Sequence, residues 1–204
     1  MDRELRRNMT VPFLDNPSYI LNEDLVALFT LTCNAFQTTD QLTLLYSMSL
    51  YGGSFGELLL ALKGYEGPTL ILVKHIEKDP TSPEDSKSGS IYVCGGFSST
   101  PWQDELNYQG NNECFVFSLI PKFKKFHALP SQENYTYMNG KKIPNSKYKV
   151  GLGFGGTNYD GFRLWIDEDM EKGSYTSTED QNYEKGSLID PAIKQLNVRE
   201  SYVE

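Results

Sequence analysis

Residues 151–173, GLGFGGTNYDGFRLWIDEDMEKG, decide the fold class. The first six fit G-x-G-x-x-G, a pattern that binds dinucleotides when a strand precedes it and a helix opens from its last glycine. Here the turn-forming run TNYDG follows at 157–161, and FRLWI at 162–166 is rich in the residues of strands. Because no helix is predicted there, we interpret the glycines as a bend that permits positive φ and close approach between strands.

The bulk composition is that of a β-rich chain of one domain, with or without tails. Of the 204 residues, 39% are hydrophobic and 13% aromatic, and there are 17 glycines. The net charge of −8 excludes a general nucleic-acid-binding protein, which would need a basic face.

Cysteine and histidine usage predicts neither a metal site nor a cofactor. Cys33, Cys94 and Cys114 are far apart, and His75 and His127 are isolated. This pattern excludes a recognisable zinc site and favours a reducing compartment. We expect Cys94 and Cys114 to be buried in strands, whereas Cys33 could be exposed on a helix. The chain shows no secretory signal and no apolar run long enough to cross a bilayer, so a cytoplasmic location without membrane insertion is expected.

The first third of the chain predicts helices after an extended arm. Residues 1–20 form this arm, and residues 21–204 are predicted to form a single domain. Asn22 is a good N-cap for a helix over 22–36, and residues 42–49 are expected to form a strand. Ser54 and Glu57 match a capping box at the start of a second, short helix that ends at Lys63 and Gly64.

The remainder predicts strands and turns. The expected fold class is α+β but mostly β, with two antiparallel sheets forming a sandwich and two or more short helices flanking it. A bulge is predicted at Gly95 and Gly96. Residues 77–89 form a polar loop between strands. The predicted strands cover 69–76, 91–97, 113–120, 124–129, 134–139, 148–154 and 161–167.

Charge is segregated along the sequence. Residues 122–149 hold seven lysines against Glu133, a net charge of +6, whereas residues 160–184 hold eight acids against Arg163 and Lys172, a net charge of −6. Such patches either dock on a charged protein partner or neighbour each other and partly neutralise. Under the first interpretation, the candidate partner-binding residues are Lys122, Lys124, Lys125, Lys141, Lys142, Glu168 and Glu171.

Two acidic features invite a chemical role. Residues 167–173 resemble a calcium loop, but glycine falls at the wrong position and no flanking helix pair is predicted, so a solvated acidic turn is favoured. Glu113 alternates with Phe115 and Phe117, which predicts a carboxylate on the core face, partnered by a backbone amide or by Arg163. It is either a general acid/base or, as we favour, a structural carboxylate pinning the loop 108–112.

Six ordered motifs resemble those of the TLDc domain, the module of the oxidation-resistance proteins. The first is the run 44–58, LLYSMSLYGGSFGEL, and GPTLI follows at 67–71. Further motifs are GGFSS at 95–99 with PW at 101–102, and the pattern Y-x-G-x-x-E-x-F-x-F-S. The glycine-rich stretch then leads into G-F-x-L-W-I-D-x-D-M-x-x-G-S. The motif residues are Gly67, Pro68, Tyr108, Gly110, Glu113, Phe115, Phe117, Gly161, Trp165, Asp167, Asp169 and Gly173.

The resemblance implies a two-sheet sandwich that binds the vacuolar-type proton ATPase (V-ATPase), with a link to oxidative-stress resistance. On this basis we expect a stand-alone, non-catalytic protein-interaction module, peripheral on organelle membranes through the pump. The cysteine that the family carries after its G-S is absent, since Tyr175 follows Ser174 here, whereas Asn182 is retained. The alternatives are a structural subunit of a large cytoskeletal or ciliary assembly, and an antioxidant enzyme using Glu113 or a cysteine.

Overall fold

The computed structural model describes residues 11–78, 89–170, 172–175, 180–189 and 195–197. By their internal contacts the residues divide into two compact units, 1–45 and 46–204. Most of the predicted loop 77–89 and the first half of the predicted arm lie outside the described residues. The division into an arm and one domain therefore stays a prediction.

The first unit contains two helices and a pair of two-residue strands. Helices α1 (Glu23–Thr32) and α2 (Asn34–Gln37) replace the single helix predicted over 22–36. Asn22 caps α1 as predicted, because its side chain accepts the Leu25 N–H at 2.9 Å. The helix breaks at Cys33, whose φ of −137° is extended, and the Cys33 side chain is buried rather than exposed.

A short parallel pairing completes this unit. Strand β1 (Phe13–Leu14) lies beside β2 (Gln41–Leu42). The strand predicted over 42–49 is therefore wrong beyond Leu42. In the second unit, residues Met48–Tyr51 form a helical turn, α3, which begins after the extended Ser47.

The second unit contains two antiparallel sheets. A four-stranded sheet has the order β3 (Thr69–Lys78), β4 (Gly89–Ser98), β5 (Phe115–Ile120) and β6 (Lys124–His127). A five-stranded sheet has the order β11-β10-β9-β8-β7. Its strands are β7 (Thr136–Asn139), β8 (Gly151–Thr157), β9 (Asp160–Asp167), β10 (Lys172–Tyr175) and β11 (Gln195–Asn197). The predicted fold class is confirmed.

The sheets meet through the strand that carries the glycines. Phe154 in β8 packs edge-on against Trp102 with ring centroids 5.5 Å apart. A Cβ on Gly96 of β4 would lie 2.5 Å from the Phe154 ring, so β4 comes close to β8 from the opposite sheet. The bulge predicted at Gly95–Gly96 does not form, because both glycines stay paired with β5. The irregularity lies opposite Val93–Cys94, where Leu119 of β5 is the extra residue. The two glycines instead leave room for the rings of Phe117 and Phe154.

Helix α4 (Phe55–Lys63) lies at the start of this unit, as the capping box predicts. Ser54 Oγ accepts the Glu57 N–H at 3.3 Å, and the apolar face is buried at Phe55, Leu58 and Leu62. Only this half of the predicted capping box forms, because the Ser54 N–H donates to Gly52 O and to the Tyr46 hydroxyl and not to Glu57. The helix ends at Gly64 with φ −82°, so this glycine is not in the left-handed conformation that a helix-ending glycine often adopts.

Candidate functional site

The glycine-rich stretch forms a strand, not a phosphate loop. Strand β8 runs directly into β9 through a two-residue turn, Asn158–Tyr159, in which both residues have positive φ, 52° and 65°. Positive φ at both central positions is the geometry of a type I′ hairpin, which matches the twist of the paired strands. A turn and a strand follow the glycines, so the prediction that no helix opens from them is confirmed.

An aromatic cluster covers the face of β8 that points away from the core. Leu152 and Phe154 are fully buried on one face, so Gly153 between them faces the other way. A Cβ on Gly153 would lie 2.6 Å from the Phe162 ring and 2.8 Å from the Trp165 ring. The glycine therefore leaves room for these two rings, which stack on each other with their centroids 4.5 Å apart.

A bulge in β9 brings Phe162 and Trp165 to the same face. Gly155 pairs with Phe162 while Phe154 pairs with Leu164, so Arg163 is an extra residue in the ladder. In a regular strand Phe162 and Trp165 would point to opposite faces, because side chains alternate. The bulge removes this alternation and also directs Arg163 towards Phe126 of the other sheet, with the guanidinium carbon 5.0 Å from the ring centroid.

Four tyrosines extend the cluster: Tyr137 is buried, and the other three lie towards solvent. Tyr137 lies 5.6 Å from Phe162, and Tyr108 stacks on Tyr159 at 5.2 Å. Tyr148, from the loop after β7, meets Tyr159 nearly at right angles at 4.7 Å. Tyr108, Tyr148 and Tyr159 are half-buried, so the cluster presents ring surface at its rim.

Hydrogen bonds fix these rings in place. Tyr108 Oη accepts the Tyr159 N–H at 2.9 Å, and Tyr137 Oη donates to Lys149 O at 3.0 Å. Burial raises the pKa of Tyr108 and of Tyr137 to about 12, and burial also raises the pKa of Tyr159. The phenols are therefore neutral over the physiological range, and the ring faces keep the negative quadrupole that attracts cations.

Ion pairs join the basic and acidic segments around this cluster. Lys142 Nζ lies 2.8 Å from Glu168 Oε1, and Lys149 Nζ lies 2.6 Å from Asp160 Oδ1. The hydrogen bond to Glu168 raises the pKa of Lys142, and the hydrogen bond from Lys149 lowers the pKa of Asp160. At these two points the predicted patches partly neutralise each other, as the second interpretation of the charge pattern expects.

The other partner-binding candidates lie on separate elements. Lys122 and Lys124 are exposed on the hairpin between β5 and β6, where the Lys125 ammonium lies 4.1 Å from the Phe115 centroid. Lys141 is exposed beside Lys142 in the loop after β7, and Glu171 lies outside the described residues. Their role in binding a partner stays a prediction.

A shallow depression of about 280 Å³ lies near the same loop. It is lined by Lys63, Trp102, Gln103, Asp104, Glu105 and Lys141. Asp104 accepts the Gly140 N–H at 2.7 Å and the Lys63 ammonium at 3.4 Å. Both carboxylate oxygens thus hold the local structure, and this arrangement fits a structural role for Asp104.

The structure gives no support to a general acid/base at Glu113 or to a reactive cysteine. Glu113 is exposed in the turn before β5, and its N–H donates to Asn111 Oδ1 at 2.8 Å, so the prediction of a core-facing carboxylate is wrong. The cause is that β5 begins only at Phe115, so strand alternation does not reach Glu113. The three cysteines are free and buried, and burial raises the pKa of Cys94 to about 12.

Sequence reasoning missed a buried polar network beneath the segment 180–189. Arg163 is fully buried and donates through Nη2 to the carbonyl oxygens of Glu184, at 3.1 Å, and of Gly186. Asp180 Oδ1 accepts the N–H groups of Asn182 at 3.0 Å and of Gly156 at 3.4 Å. The one signal in the sequence is a lone arginine inside an aromatic strand, FRLWI, which requires a partner if it is buried.

Two further observations concern the described residues only. They contain no group of three or more His, Cys, Asp or Glu side chains that could hold a metal ion. None of the helices within the described ranges is long and apolar enough to cross a membrane.

The comparison with protein families matches the TLDc domain over residues 14–200. This match covers most of the chain, so the chain belongs to the TLDc domain family. The resemblance inferred from the sequence motifs is confirmed.

Individual relatives cover the chain in part. The chain is similar to MTOR-associated protein MEAK7 of Danio rerio, 36% identical over 132 residues, and of Homo sapiens, 34% identical over 133 residues. In both cases the match covers 64% of this chain and 25% of the relative. Oxidation resistance protein 1 of Bos taurus is 26% identical over 162 residues, which are 79% of this chain and 16% of the relative. The chain therefore matches about a quarter or less of these relatives' length.

Proposed function

We propose that this chain is a non-catalytic interaction module that binds the V-ATPase and regulates its assembly. The observation that carries the proposal is the match to the TLDc family over residues 14–200. Docking would place the protein in the cytoplasm, peripheral on organelle membranes through the pump. A relative named oxidation resistance protein 1 supports the associated link to oxidative-stress resistance.

The outer face of the five-stranded sheet is the docking surface in this proposal. It combines the half-buried rings of Tyr108, Tyr148 and Tyr159 with the ion pairs Lys142–Glu168 and Lys149–Asp160. Aromatic residues with a polar rim are the usual composition of protein interfaces. The buried cysteines and the exposed, turn-bound Glu113 argue against the antioxidant-enzyme alternative.

A second partner class follows from the relatives' names. MEAK7 is named as an MTOR-associated protein, so an assembly containing MTOR is the competing partner for this chain. The two candidates separate in one experiment, because their subunits are distinct proteins.

Affinity capture from detergent-solubilised organelle membranes tests the proposal. The immobilised chain is expected to retain V-ATPase subunits at moderate salt, identified by mass spectrometry. Recovery of MTOR without pump subunits would replace the V-ATPase with the competing partner, and recovery of neither would overturn the docking function.

A charge variant with a matched control locates the surface. Lys142→Glu places a carboxylate beside Glu168 and is expected to reduce capture at least several-fold, and Lys142→Glu with Glu168→Lys is expected to restore part of it. Lys185→Glu changes an exposed lysine outside both patches and serves as the control. Equal loss in Lys142→Glu and Lys185→Glu, which change the net charge by the same amount, would show a net-charge effect and not a surface.

A further inference from the structure

We propose that Tyr148 and Tyr159 form a binding site for a cationic side chain, arginine or lysine, of a partner protein. In the free chain, Lys147 occupies this site. This site depends on the docking function proposed above in one respect, the existence of a protein partner. It adds the chemistry by which that partner would be recognised.

The position of Lys147 marks the site. Its ammonium nitrogen lies 5.0 Å from the Tyr159 centroid and 5.7 Å from the Tyr148 centroid. Both distances are within the range of about 6 Å over which a ring face attracts a cation. One cation therefore contacts two rings at once, which is the arrangement that a partner's guanidinium or ammonium would use.

The two rings are held by the fold and not by the lysine. Tyr159 stacks on Tyr108 at 5.2 Å, and its backbone N–H is bonded to the Tyr108 hydroxyl. Tyr148 packs at nearly right angles on Tyr159 at 4.7 Å. Lys149, the next residue after Tyr148, is held by two interactions. Its carbonyl oxygen accepts from Asn139 Nδ2 at 2.9 Å, and its Nζ pairs with Asp160. If Lys147 leaves, the rings stay in position, and the site needs little reorganisation.

The net charge of the chain, −8, favours a cationic occupant. Near the site, Asp160 and Glu168 are already paired with Lys149 and Lys142, and Asp167 and Asp169 add negative charge at the end of β9 and in the turn after it. Lys147 is exposed, in contrast to the half-buried rings. A basic segment of a partner would replace one cation by another at the rings and would be attracted by the net negative charge of the chain.

Short glycine–serine peptides with one central arginine test the site without any assembly. Binding is followed by the chemical shifts of the tyrosine rings, and a peptide with norleucine in place of arginine supplies the uncharged control. The arginine peptide is expected to shift Tyr148 and Tyr159 resonances, and the norleucine peptide to leave them unchanged.

Three variants sharpen the test. Lys147→Ala removes the internal cation and is expected to tighten arginine-peptide binding about 2- to 5-fold. Tyr148→Ala is expected to weaken it by about the same factor, whereas Tyr148→Phe, which keeps the ring, stays within about 2-fold of the wild type. Tyr148 lies in a loop, and the unchanged shifts of Phe162 and Trp165 confirm that the fold is retained.

The outcomes separate this inference from the proposed function. Equal binding of the arginine and norleucine peptides, or no effect of Lys147→Ala and Tyr148→Ala, would overturn the cation site. Peptide binding without capture of V-ATPase subunits would leave the cation site and contradict the proposed partner.

Discussion

Strand β9 carries two regions of opposite character. On its outer side, Phe162 and Trp165 are buried in a cluster of rings whose rim, formed by Tyr108, Tyr148 and Tyr159, is half-buried. On its inner side, Arg163 is a fully buried charge whose Nε and Nη1 find no hydrogen-bond partner among the described residues. Asp180 interacts electrostatically with Arg163. Its Oδ2 also has no hydrogen-bond partner among the described residues.

The difference separates what holds the fold from what is available for binding. A buried charge depends on every partner, because a lost partner leaves a desolvated group. When a half-buried ring at the rim is substituted, only its own contacts are lost, and water replaces them. We therefore expect substitutions in the inner network to act on stability and substitutions in the outer cluster to act on binding.

The largest effect is expected from Arg163→Met. It removes the donors to Glu184 O and Gly186 O and leaves the buried Asp180 without its cation, so it should lower the free energy of unfolding by about 3–5 kcal/mol. Urea denaturation measures the change. Adding Asp180→Asn, which keeps the Oδ1 acceptor but removes the charge, should recover part of the loss. A loss below about 1 kcal/mol would mean that Arg163 is not a structural anchor.

Gly155→Ala tests the same network from β8. Gly155 has φ +73°, and a Cβ there would lie 2.8 Å from the Asp180 carboxyl group, so we expect a loss of about 2–4 kcal/mol. Gly161 is the matched control, because it has φ +59° with nothing within 4 Å of its Cβ position. Gly161→Ala should cost only the backbone strain, about 1–2 kcal/mol. If Gly155→Ala and Gly161→Ala lose equal stability in thermal or urea denaturation, the close contact with Asp180 does not contribute to the effect at Gly155.

Tyr108→Phe tests a hydrogen bond of the outer cluster. The ring stack with Tyr159 is kept, but the Tyr159 N–H loses its acceptor, so the free energy of unfolding should fall by about 1 kcal/mol. Tyr51→Phe removes an exposed hydroxyl elsewhere and is expected to change little. A loss approaching that of Arg163→Met would erase the distinction between the two regions.

Lys149→Met should have the smallest effect, at most about 0.5 kcal/mol, since Asp160 is 78% exposed and the ion pair is screened. The Lys149 hydrogen bond lowers the pKa of Asp160 in the folded state. The stabilisation is therefore present above the unfolded pKa of about 3.9 and is lost as the pH falls through the lower, folded value. The difference between wild type and variant in urea denaturation should therefore shrink as the pH is lowered below about 4. An effect that grows on acidification would contradict this assignment.

The sequence predicts the sheets well because hydrophobic alternation and turn residues are local signals. It places the two sheets, the cap at Asn22 and the helix after Ser54. It fails where register decides, since the bulge at Arg163 and the start of β5 after Glu113 depend on pairing with distant strands. The aromatic cluster escapes sequence reasoning for the same reason, because Tyr108, Tyr148 and Phe162 come from three separate segments.

Capture with a variant that alters only the outer face tests the central claim most directly. Tyr148→Ala with Lys142→Glu should unfold within about 1 kcal/mol of the wild type in urea, since both residues lie at the rim. In affinity capture from organelle membranes, the wild type is predicted to retain V-ATPase subunits and this variant to lose most of them. Retention of the subunits by the folded variant at wild-type levels would contradict the claim that this protein docks through the outer face of its five-stranded sheet.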